Sequence, residues 1–137
     1  MSEEMRAIVK RSKEMWNTGN TGIADEIYSE NFVIDYPFDP RICDLESYKK
    51  FVTETRNGMP DFNITIEDMI AENDKIACRW VASGTHKVDF FGIPASGKKA
   101  TWKGMSIYRF DSGKIAEAWY SEDALGMLQQ LGVIPTE

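Results

Sequence analysis

The sequence is poor in the residues that build metal, disulfide and phosphate sites. Its 137 residues include one histidine, His86, and two cysteines, Cys43 and Cys78. A zinc site of the usual histidine and cysteine type is therefore poorly supplied, and two thiols without a secretory signal favour a reduced protein over a disulfide framework. Neither a glycine-rich phosphate loop nor a nucleophile-elbow motif occurs. We expect no metal and no cofactor.

Long apolar runs and basic clusters are missing as well. No run approaches the roughly 20 apolar residues that a membrane helix needs, and the charged, amphipathic N-terminus is unlike a signal peptide. The net charge is −6, and the basic residues are scattered, whereas nucleic-acid phosphates attract clustered Lys and Arg. These features predict a cytoplasmic protein that binds neither membranes nor nucleic acid.

Aromatic residues are plentiful, with four Trp, five Tyr and seven Phe making up 12% of the chain. Large aromatic side chains fill protein cores, and they also line pockets for flat or apolar ligands. The length fits one domain with one core, so residues 1–137 are read as a single domain. Composition alone does not separate an aromatic core from an aromatic pocket.

Apolar spacing predicts helices in the first half of the chain. Met5, Val9 and Trp16 share one face of a first helix, because apolar residues recur there with helical periodicity. A short second helix follows Thr21, and a third begins after Asp44, a good N-cap residue. Residues 32–36 between them read as an extended segment that prolines end.

The second half of the chain reads as strands, at 62–71, 76–86, 100–110 and 114–120. Turns of the hairpin type lie at 73–74 and 111–113, and a short helix capped by Ser121 follows, with Leu125, Leu128 and Leu131 turned inward. Helices followed by a run of strands predict an α+β domain, with helices packed on one face of an antiparallel sheet.

Strand periodicity suggests which side chains share a pocket. In a strand, alternate residues face the same side, so Trp80 and His86 share a face, and Glu117 and Trp119 share another if no bulge intervenes. The first strand contributes the dipeptide 35–36. The predicted lining of a cavity is Trp16, Asp35, Tyr36, Trp80, His86, Glu117 and Trp119, with Asp123 at its rim.

Three segments together resemble one family. They are 84–98, which contains Gly-Thr-His and Phe-Phe-Gly-Ile-Pro-Ala-Ser-Gly-Lys; 107–117, which contains Ile-Tyr-Arg-Phe and Gly-Lys-Ile; and 119–132, which contains Trp-x-x-x-Asp and Gln-Leu-Gly. Their order and spacing resemble the SnoaL-like polyketide cyclases, also called ester cyclases, of the nuclear transport factor 2-like superfamily. The resemblance implies a strongly curved, cone-shaped antiparallel sheet on about three N-terminal helices, a short C-terminal helix and an apolar cavity.

The resemblance also implies a chemistry. Members of this family close a ring in a polyketide methyl ester by an intramolecular aldol reaction, without cofactor or metal. They use an aspartate as acid/base beside a histidine, and these roles carry over to Asp123, on the Trp-x-x-x-Asp spacing, and to His86. A carboxylate in a dry pocket is a stronger base than one in water. The expected partner is a small apolar or aromatic organic molecule.

Other readings remain open for the same residues. Asp123 near a helix N-terminus is stabilising there without any catalysis, and Glu117 is equally suited to a surface ion pair. The chain could be a non-catalytic ligand-binding or dimerising accessory domain, or an isomerase, dehydratase or hydrolase on the same scaffold. A ketosteroid isomerase is disfavoured, because its two oxyanion-donor positions fall at Ser12 and Ser106. The scaffold further implies homodimers through the exposed sheet face.

Overall fold

A computed structural model of the chain describes residues 2–90 and 92–135. The described residues form four helices and five strands in the predicted order. They are α1 Ser2–Thr18, α2 Gly22–Ile27, β1 Tyr28–Asp35, α3 Leu45–Gly58, β2 Asn63–Glu72, β3 Lys75–Thr85, β4 Lys99–Asp111, β5 Lys114–Glu122 and α4 Ala124–Gln130. Three strands are longer than predicted. Strand β1 begins at Tyr28, β4 gains one residue at each end, and β5 continues to Glu122.

The helix ends follow the local sequence. Gly19 takes a positive φ of 80° just after α1, a conformation that costs glycine little. Asp44 caps α3 by accepting a hydrogen bond from the backbone of Ser47, whose side chain in turn bonds the backbone N–H of Asp44. Thr21 stands at the N-cap of α2 but makes no side-chain capping bond. None of the helices in the described ranges is both long and apolar enough to cross a membrane.

The sheet has the strand order β1-β5-β4-β3-β2. Strands β2 to β5 pair antiparallel in a meander, as expected. Strand β1 pairs parallel with β5, so the sheet is mixed, which corrects the wholly antiparallel prediction. A parallel pair needs a long crossover, and α3 with the meander supplies it. The pairing sets the end of β1 beside the end of β5, with Asp35 opposite Trp119.

One face of the sheet is buried beneath the helices. In β3 and β4 the even-numbered residues are buried and the odd-numbered ones are mostly exposed, because alternate side chains point to opposite faces. The inner face is strongly aromatic, and Trp80 and Tyr108 meet Trp16 and Tyr48 from α1 and α3 in one core. Many of the aromatic residues counted in the sequence therefore lie where the sheet and the helices meet.

A β-bulge in β5 changes which of its residues face inward. Arg109 pairs with Glu117, but the next residue of β4, Phe110, pairs with Ile115, so β5 carries one extra residue there. Ile115 is buried before the bulge, and Ala118 and Tyr120 are buried after it. The bulge reverses the parity that the sequence predicted, and it turns Glu117 and Trp119 to the outer face.

Helix α4 also differs in detail from its prediction. Asp123, not Ser121, is its N-cap, and the Asp123 side chain accepts a hydrogen bond from the backbone of Gly126. Leu125, expected to point inward, is 57% exposed, whereas Met127 is buried. Leu131 is buried and Leu128 packs partly buried against the core, so Leu125 alone of the three predicted leucines departs from its prediction.

Candidate active site

A narrow aromatic cavity lies between the inner face of the sheet and helices α1 and α3. The volume open to the centre of a water-sized sphere is about 40 Å³, which is room for a few water molecules. Binding a ligand of several rings requires this lining to move, because sites for such ligands are several times larger. The lining residues are Trp16, Tyr36, Phe38, Phe51, Thr55, Phe62, Ile64, Trp80, Ala82, Phe90, Trp102, Tyr120, Glu122 and Met127.

Glu122 supplies a carboxylate to this apolar lining. Its Oε2 accepts a hydrogen bond from the hydroxyl of Tyr36, and its Oε1 accepts one from the indole N–H of Trp102 at 3.0 Å. Burial raises the pKa of Glu122 above its ordinary value, and the two hydrogen bonds offset part of that rise. A carboxylate with a raised pKa is a stronger proton acceptor than an exposed one.

A hydrogen-bonded network of tyrosines lies behind the cavity. The ammonium group of Lys13 donates to the hydroxyl of Tyr108 at 2.6 Å, and the Tyr108 and Tyr120 hydroxyls are 3.0 Å apart. The Tyr120 hydroxyl is also 2.8 Å from that of Tyr48, which accepts a bond from the indole N–H of Trp16 at 2.9 Å. The network runs from Lys13 to Trp16, and two of its members, Trp16 and Tyr120, also line the cavity.

Lys13 is a buried cation on α1. It is 4% exposed, and its Nζ lies 5.9, 5.2 and 5.7 Å from the ring centres of Trp80, Tyr108 and Tyr120. No carboxylate of the described chain forms an ion pair with it. Burial lowers the pKa of Lys13, because desolvation penalises its charge. The aromatic rings and one phenol oxygen are what stabilise the charge.

Three of the residues predicted to line a cavity do so. Trp16, Tyr36 and Trp80 all contribute to its wall. Trp80 points inward as strand parity required, and its indole N–H donates to Ser106 at 2.8 Å. Tyr36 follows β1 directly and reaches the cavity with its hydroxyl on Glu122. Whether these three bind substrate stays a prediction.

Three other predicted cavity residues lie elsewhere. Glu117 forms an ion pair with Arg109 at 3.1 Å, and Trp119 lines an outer-face groove with Ile107. The bulge in β5 causes both displacements. Asp35 is exposed at the end of β1, because Tyr36 takes the inward position and adjacent strand residues point to opposite faces.

Asp123 and His86 each have another hydrogen-bond partner, and no hydrogen bond joins them in the part of the chain that the structure describes. Asp123 is exposed and its carboxylate accepts the Gly126 backbone N–H at 2.9 Å. His86 is fully buried, with Nδ1 at 3.2 Å from the Ser96 hydroxyl and Nε2 without a partner in the described ranges. Neither residue contributes to the cavity wall. The acid/base roles that the resemblance implies for Asp123 and His86 stay a prediction.

Sequence reasoning missed Glu122 because it ended the last strand at residue 120. Extending that strand by two residues and allowing a bulge would place Tyr120 and Glu122 on one face. An acidic residue two positions after a buried tyrosine, and directly before a helix N-cap, is the signal that could have located it. Among the described residues, no group of three or more His, Cys, Asp or Glu side chains is suited to hold a metal ion.

Comparisons with known proteins agree with this fold. The sequence profile of SnoaL-like polyketide cyclases matches residues 6–131. A candidate polyketide cyclase from Bacillus cereus ATCC 10987 is 30% identical with a TM-score of 0.83, over 96% of this chain and 82% of that one. IdmH, a candidate polyketide cyclase from Streptomyces antibioticus, is 29% identical with a TM-score of 0.79, over 93% and 98% of the two chains.

A third solved structure shares the fold at lower identity. TsrD from Streptomyces laurentii is 23% identical with a TM-score of 0.88, over 96% of this chain and 97% of that one. No curated protein matches the chain significantly. The mixed sheet and its helices form the α+β fold of the nuclear transport factor 2-like superfamily. Because the family profile covers nearly its whole length, the chain belongs to the SnoaL-like polyketide cyclase family.

Proposed function

We propose that this protein is a cofactor-independent acid/base catalyst that closes a ring in a small polyketide-like substrate by an aldol reaction. Glu122 is the acid/base in this proposal. The observation that carries it is a carboxylate set in an aromatic cavity and held by Tyr36 and Trp102. Family membership supports the reaction class.

One carboxylate is sufficient for the proposed reaction, because it first removes a proton and later returns it. The Glu122 carboxylate removes a proton from a carbon next to a carbonyl, and the C–H electron pair becomes the double bond of an enolate. The enolate carbon then attacks a second carbonyl of the same molecule and forms the ring bond. The proton held on Glu122 returns to the new alkoxide oxygen. No external oxidant or reductant enters.

The aromatic wall contributes by positioning the substrate and excluding water. Ring closure needs two carbons of one flexible molecule to meet, and holding them together supplies roughly 7–11 kcal/mol of the barrier in well-oriented cases. Flat side chains such as Trp16, Trp80 and Trp102 suit a planar, conjugated substrate. The small open volume favours a compact substrate, or one that displaces part of the wall.

Asp123 remains a second candidate for the acid/base, on the spacing that it shares with the family. Its exposure and its bond to the helix backbone favour a capping role instead. His86 could act with a substrate only through its unpartnered Nε2, which lies outside the cavity wall. We therefore assign the proton transfer to Glu122.

Deuterium exchange tests the proposed base directly. Acetophenone presents one carbonyl, one aromatic ring and a methyl group whose protons exchange slowly in neutral D₂O. We expect the wild-type protein to accelerate loss of the methyl signal in proton NMR, and Glu122→Gln to lower that rate by about 10²- to 10⁴-fold. Exchange that is equally fast in wild type and Glu122→Gln would remove Glu122 from the mechanism.

We also propose that two copies associate through the outer face of the sheet. Val33, Ile70, Met105 and Ile107 are 47%, 66%, 61% and 42% exposed there, and Trp119 lies beside Ile107. Exposed apolar patches of this kind mark interaction surfaces. Sedimentation should give twice the 15.6 kDa of one chain, and Ile107→Glu should halve that mass; a wild-type monomer would contradict the proposal.

The cellular location is proposed from the thiols. Cys43 is exposed and Cys78 is buried, and both are free. An exposed free thiol is compatible with the reducing conditions of the cytoplasm, which supports the expected cytoplasmic location. Alkylation of Cys43 in intact cells, without prior reduction, is the measurement that checks it; a thiol found oxidised would argue against it.

A further inference from the structure

An outer pocket lies beside the cavity, at the place where β1 and β5 part. The two strands pair as far as Asp35 and Trp119. Strand β5 then continues to Glu122, while the chain after β1 turns away at Pro37, which has no N–H group to extend the ladder. The outer pocket lies in this gap, and about 250 Å³ of it is open to the centre of a water-sized sphere. Its lining residues are Tyr36, Pro37, Phe38, Tyr120, Ser121, Glu122 and Ala124.

The outer pocket and the cavity share part of their walls. Four residues line both spaces, namely Tyr36, Phe38, Tyr120 and Glu122. The partition between the two spaces is therefore one layer of side chains. The cavity alone has about 40 Å³ open to the same sphere, so moving one side chain of the partition would enlarge the space open to a ligand several-fold.

Phe38 is the residue of the partition whose movement breaks the fewest contacts. Tyr36 and Glu122 are hydrogen-bonded to each other. The hydroxyl of Tyr120 lies 2.8 Å from that of Tyr48, and breaking such buried hydrogen bonds is costly. The Phe38 side chain has no hydrogen-bonding group and is only half-buried. It packs edge-on against Tyr36, with the ring centres 6.1 Å apart, so its rotation gives up apolar contacts alone.

A second neighbour of the cavity is less suited to an apolar ligand. This polar groove shares Phe51 and Phe90 with the cavity. Its charged lining residues are Asp39, Arg41, Lys50, Glu54 and Asp89. Covering charged groups with an apolar ring costs their hydration. Phe90 is also tightly packed, because a Cβ atom at Gly58 would lie 2.9 Å from its own Cβ atom. The outer pocket is therefore the better extension of the cavity.

We propose that the outer pocket is a second binding subsite, that Phe38 controls its connection to the cavity, and that the ligand has two flat apolar parts joined at its acidic C–H group. The inference rests on the proposed function of the cavity. Glu122 lines both spaces. Its carboxylate oxygens are held by Trp102 of the cavity wall and by Tyr36 of the partition. A carbon that gives its proton to this carboxylate therefore lies between the two parts of the molecule.

Deoxybenzoin and acetophenone distinguish a two-part site from the cavity alone. Deoxybenzoin has two phenyl rings joined by a carbonyl and a CH₂ group, so its acidic C–H bonds lie between the rings, whereas acetophenone has one ring. Ligand-observed proton NMR measures both dissociation constants. We expect the wild-type protein to bind deoxybenzoin about tenfold more tightly or better, because a second ring is removed from water.

Ala124→Trp fills the outer pocket from α4. Ala124 lines that pocket and not the cavity, so the added indole should weaken deoxybenzoin binding about tenfold or more and leave acetophenone binding nearly unchanged. Phe38→Trp enlarges the partition and should act in the same direction, whereas Phe38→Ala should strengthen deoxybenzoin binding. Circular dichroism identifies any variant that fails to fold, and the two Phe38 variants decide the matter if Ala124→Trp does not fold.

Lys50→Trp is the matched control for an added indole. Lys50 is exposed and lines the polar groove, so this variant should bind both probes as the wild type does. Three results would overturn the inference. They are the absence of deoxybenzoin binding to the wild type, unchanged deoxybenzoin binding in the folded Ala124 and Phe38 variants, and an equal loss in Lys50→Trp.

Failure of the proposed function looks different from failure of this inference. If Glu122 is not the base, acetophenone exchange is the same in wild type and Glu122→Gln, while the selective changes in deoxybenzoin binding persist. If the outer pocket is not a subsite, acetophenone exchange still depends on Glu122, while deoxybenzoin binding does not respond to the outer-pocket variants. In active protein, Ala124→Trp should slow exchange of the deoxybenzoin CH₂ group and leave acetophenone exchange unchanged.

Discussion

The Tyr36 hydroxyl hydrogen-bonds to the carboxylate of Glu122, across 86 residues of sequence. This contact joins the chain just after β1 to the last residue of β5, and the parallel pairing of those strands makes it possible. Glu122 is thereby held against an aromatic wall, with only part of its surface exposed to solvent. The position of the carboxylate follows from sheet topology, and the proposed chemistry follows from that position.

The conservative substitution Asp123→Asn distinguishes a capping role of Asp123 from a role in proton transfer. Asparagine caps a helix about as well as aspartate, so Asp123→Asn should keep both acetophenone exchange and thermal stability near wild type. Asp123→Ala should lower the free energy of unfolding by about 1 kcal/mol and leave the exchange rate per folded molecule unchanged. Loss of exchange in Asp123→Asn would return the acid/base role to Asp123.

The buried carboxyl group of Glu122 should make the free energy of unfolding depend on pH. The folded pKa of Glu122 is raised above 4.5, so the folded state binds more protons than the unfolded state just above that pH. Stability from this group therefore falls as pH rises through the window above 4.5. Glutamine does not titrate, so the gain in stability from Glu122→Gln should grow with pH across this window.

Urea unfolding at a series of pH values measures that gain. Glu117→Gln is the matched control for loss of one negative charge, because Glu117 lies on the outer face with Arg109. If the difference in free energy of unfolding between Glu122→Gln and wild type does not change between pH 4.5 and neutral pH, burial does not penalise the charge of Glu122.

The sequence predicted the inner residues of β3 well and those of β5 poorly. Trp80 is inward because β3 pairs with β4 in unbroken register, and simple alternation then suffices. Glu117 and Trp119 are outward because the pairing shifts by one residue near Ile115. A bulge is decided by contacts between strands, and no pattern within the strand itself announces it.

The remaining differences between the prediction and the structure concern where strands and helices begin and end, and where β1 lies in the sheet. Ser121 and Asp123 are both good N-cap residues, so sequence alone does not choose between them, and the choice decides whether Glu122 belongs to the strand. The parallel position of β1 was likewise unpredictable from local pattern, since strand order is set by packing of the whole chain. The cap of α3 at Asp44 depends on near neighbours in the sequence and was predicted correctly.

The buried charge of Lys13 should lower the free energy of unfolding at neutral pH. Its folded pKa is lowered below 10.5, so the unfolded state binds more protons between the two values, and wild-type stability rises as pH increases through that window. Lys13→Met should therefore be more stable than wild type at neutral pH. Its advantage should shrink toward pH 10.5, as chemical unfolding at several pH values would show; a less stable variant at neutral pH would contradict the account.

Gly104 is required by the position of Trp80. A Cβ atom at residue 104 would lie 2.3 Å from the Trp80 ring, so Gly104→Ala must displace a side chain that lines the cavity. We expect the free energy of unfolding to fall by about 1–3 kcal/mol and the fluorescence of the protein to change. Gly113→Ala is a useful comparison, because nothing lies within 4 Å of its Cβ position, although its positive φ adds strain of its own. Unchanged fluorescence in Gly104→Ala would show that the Trp80 ring does not pack against this glycine.

Titration of the Glu122 carboxyl carbon by carbon-13 NMR tests the central claim most directly. The signal is assigned by its absence in Glu122→Gln. A midpoint clearly above the ordinary 4.5 is the result expected for a carboxyl group that the aromatic wall shields from water. A midpoint at or below 4.5 would mean that this group is well solvated or over-stabilised as an anion, and the proposed base would then lack the environment on which its reactivity depends.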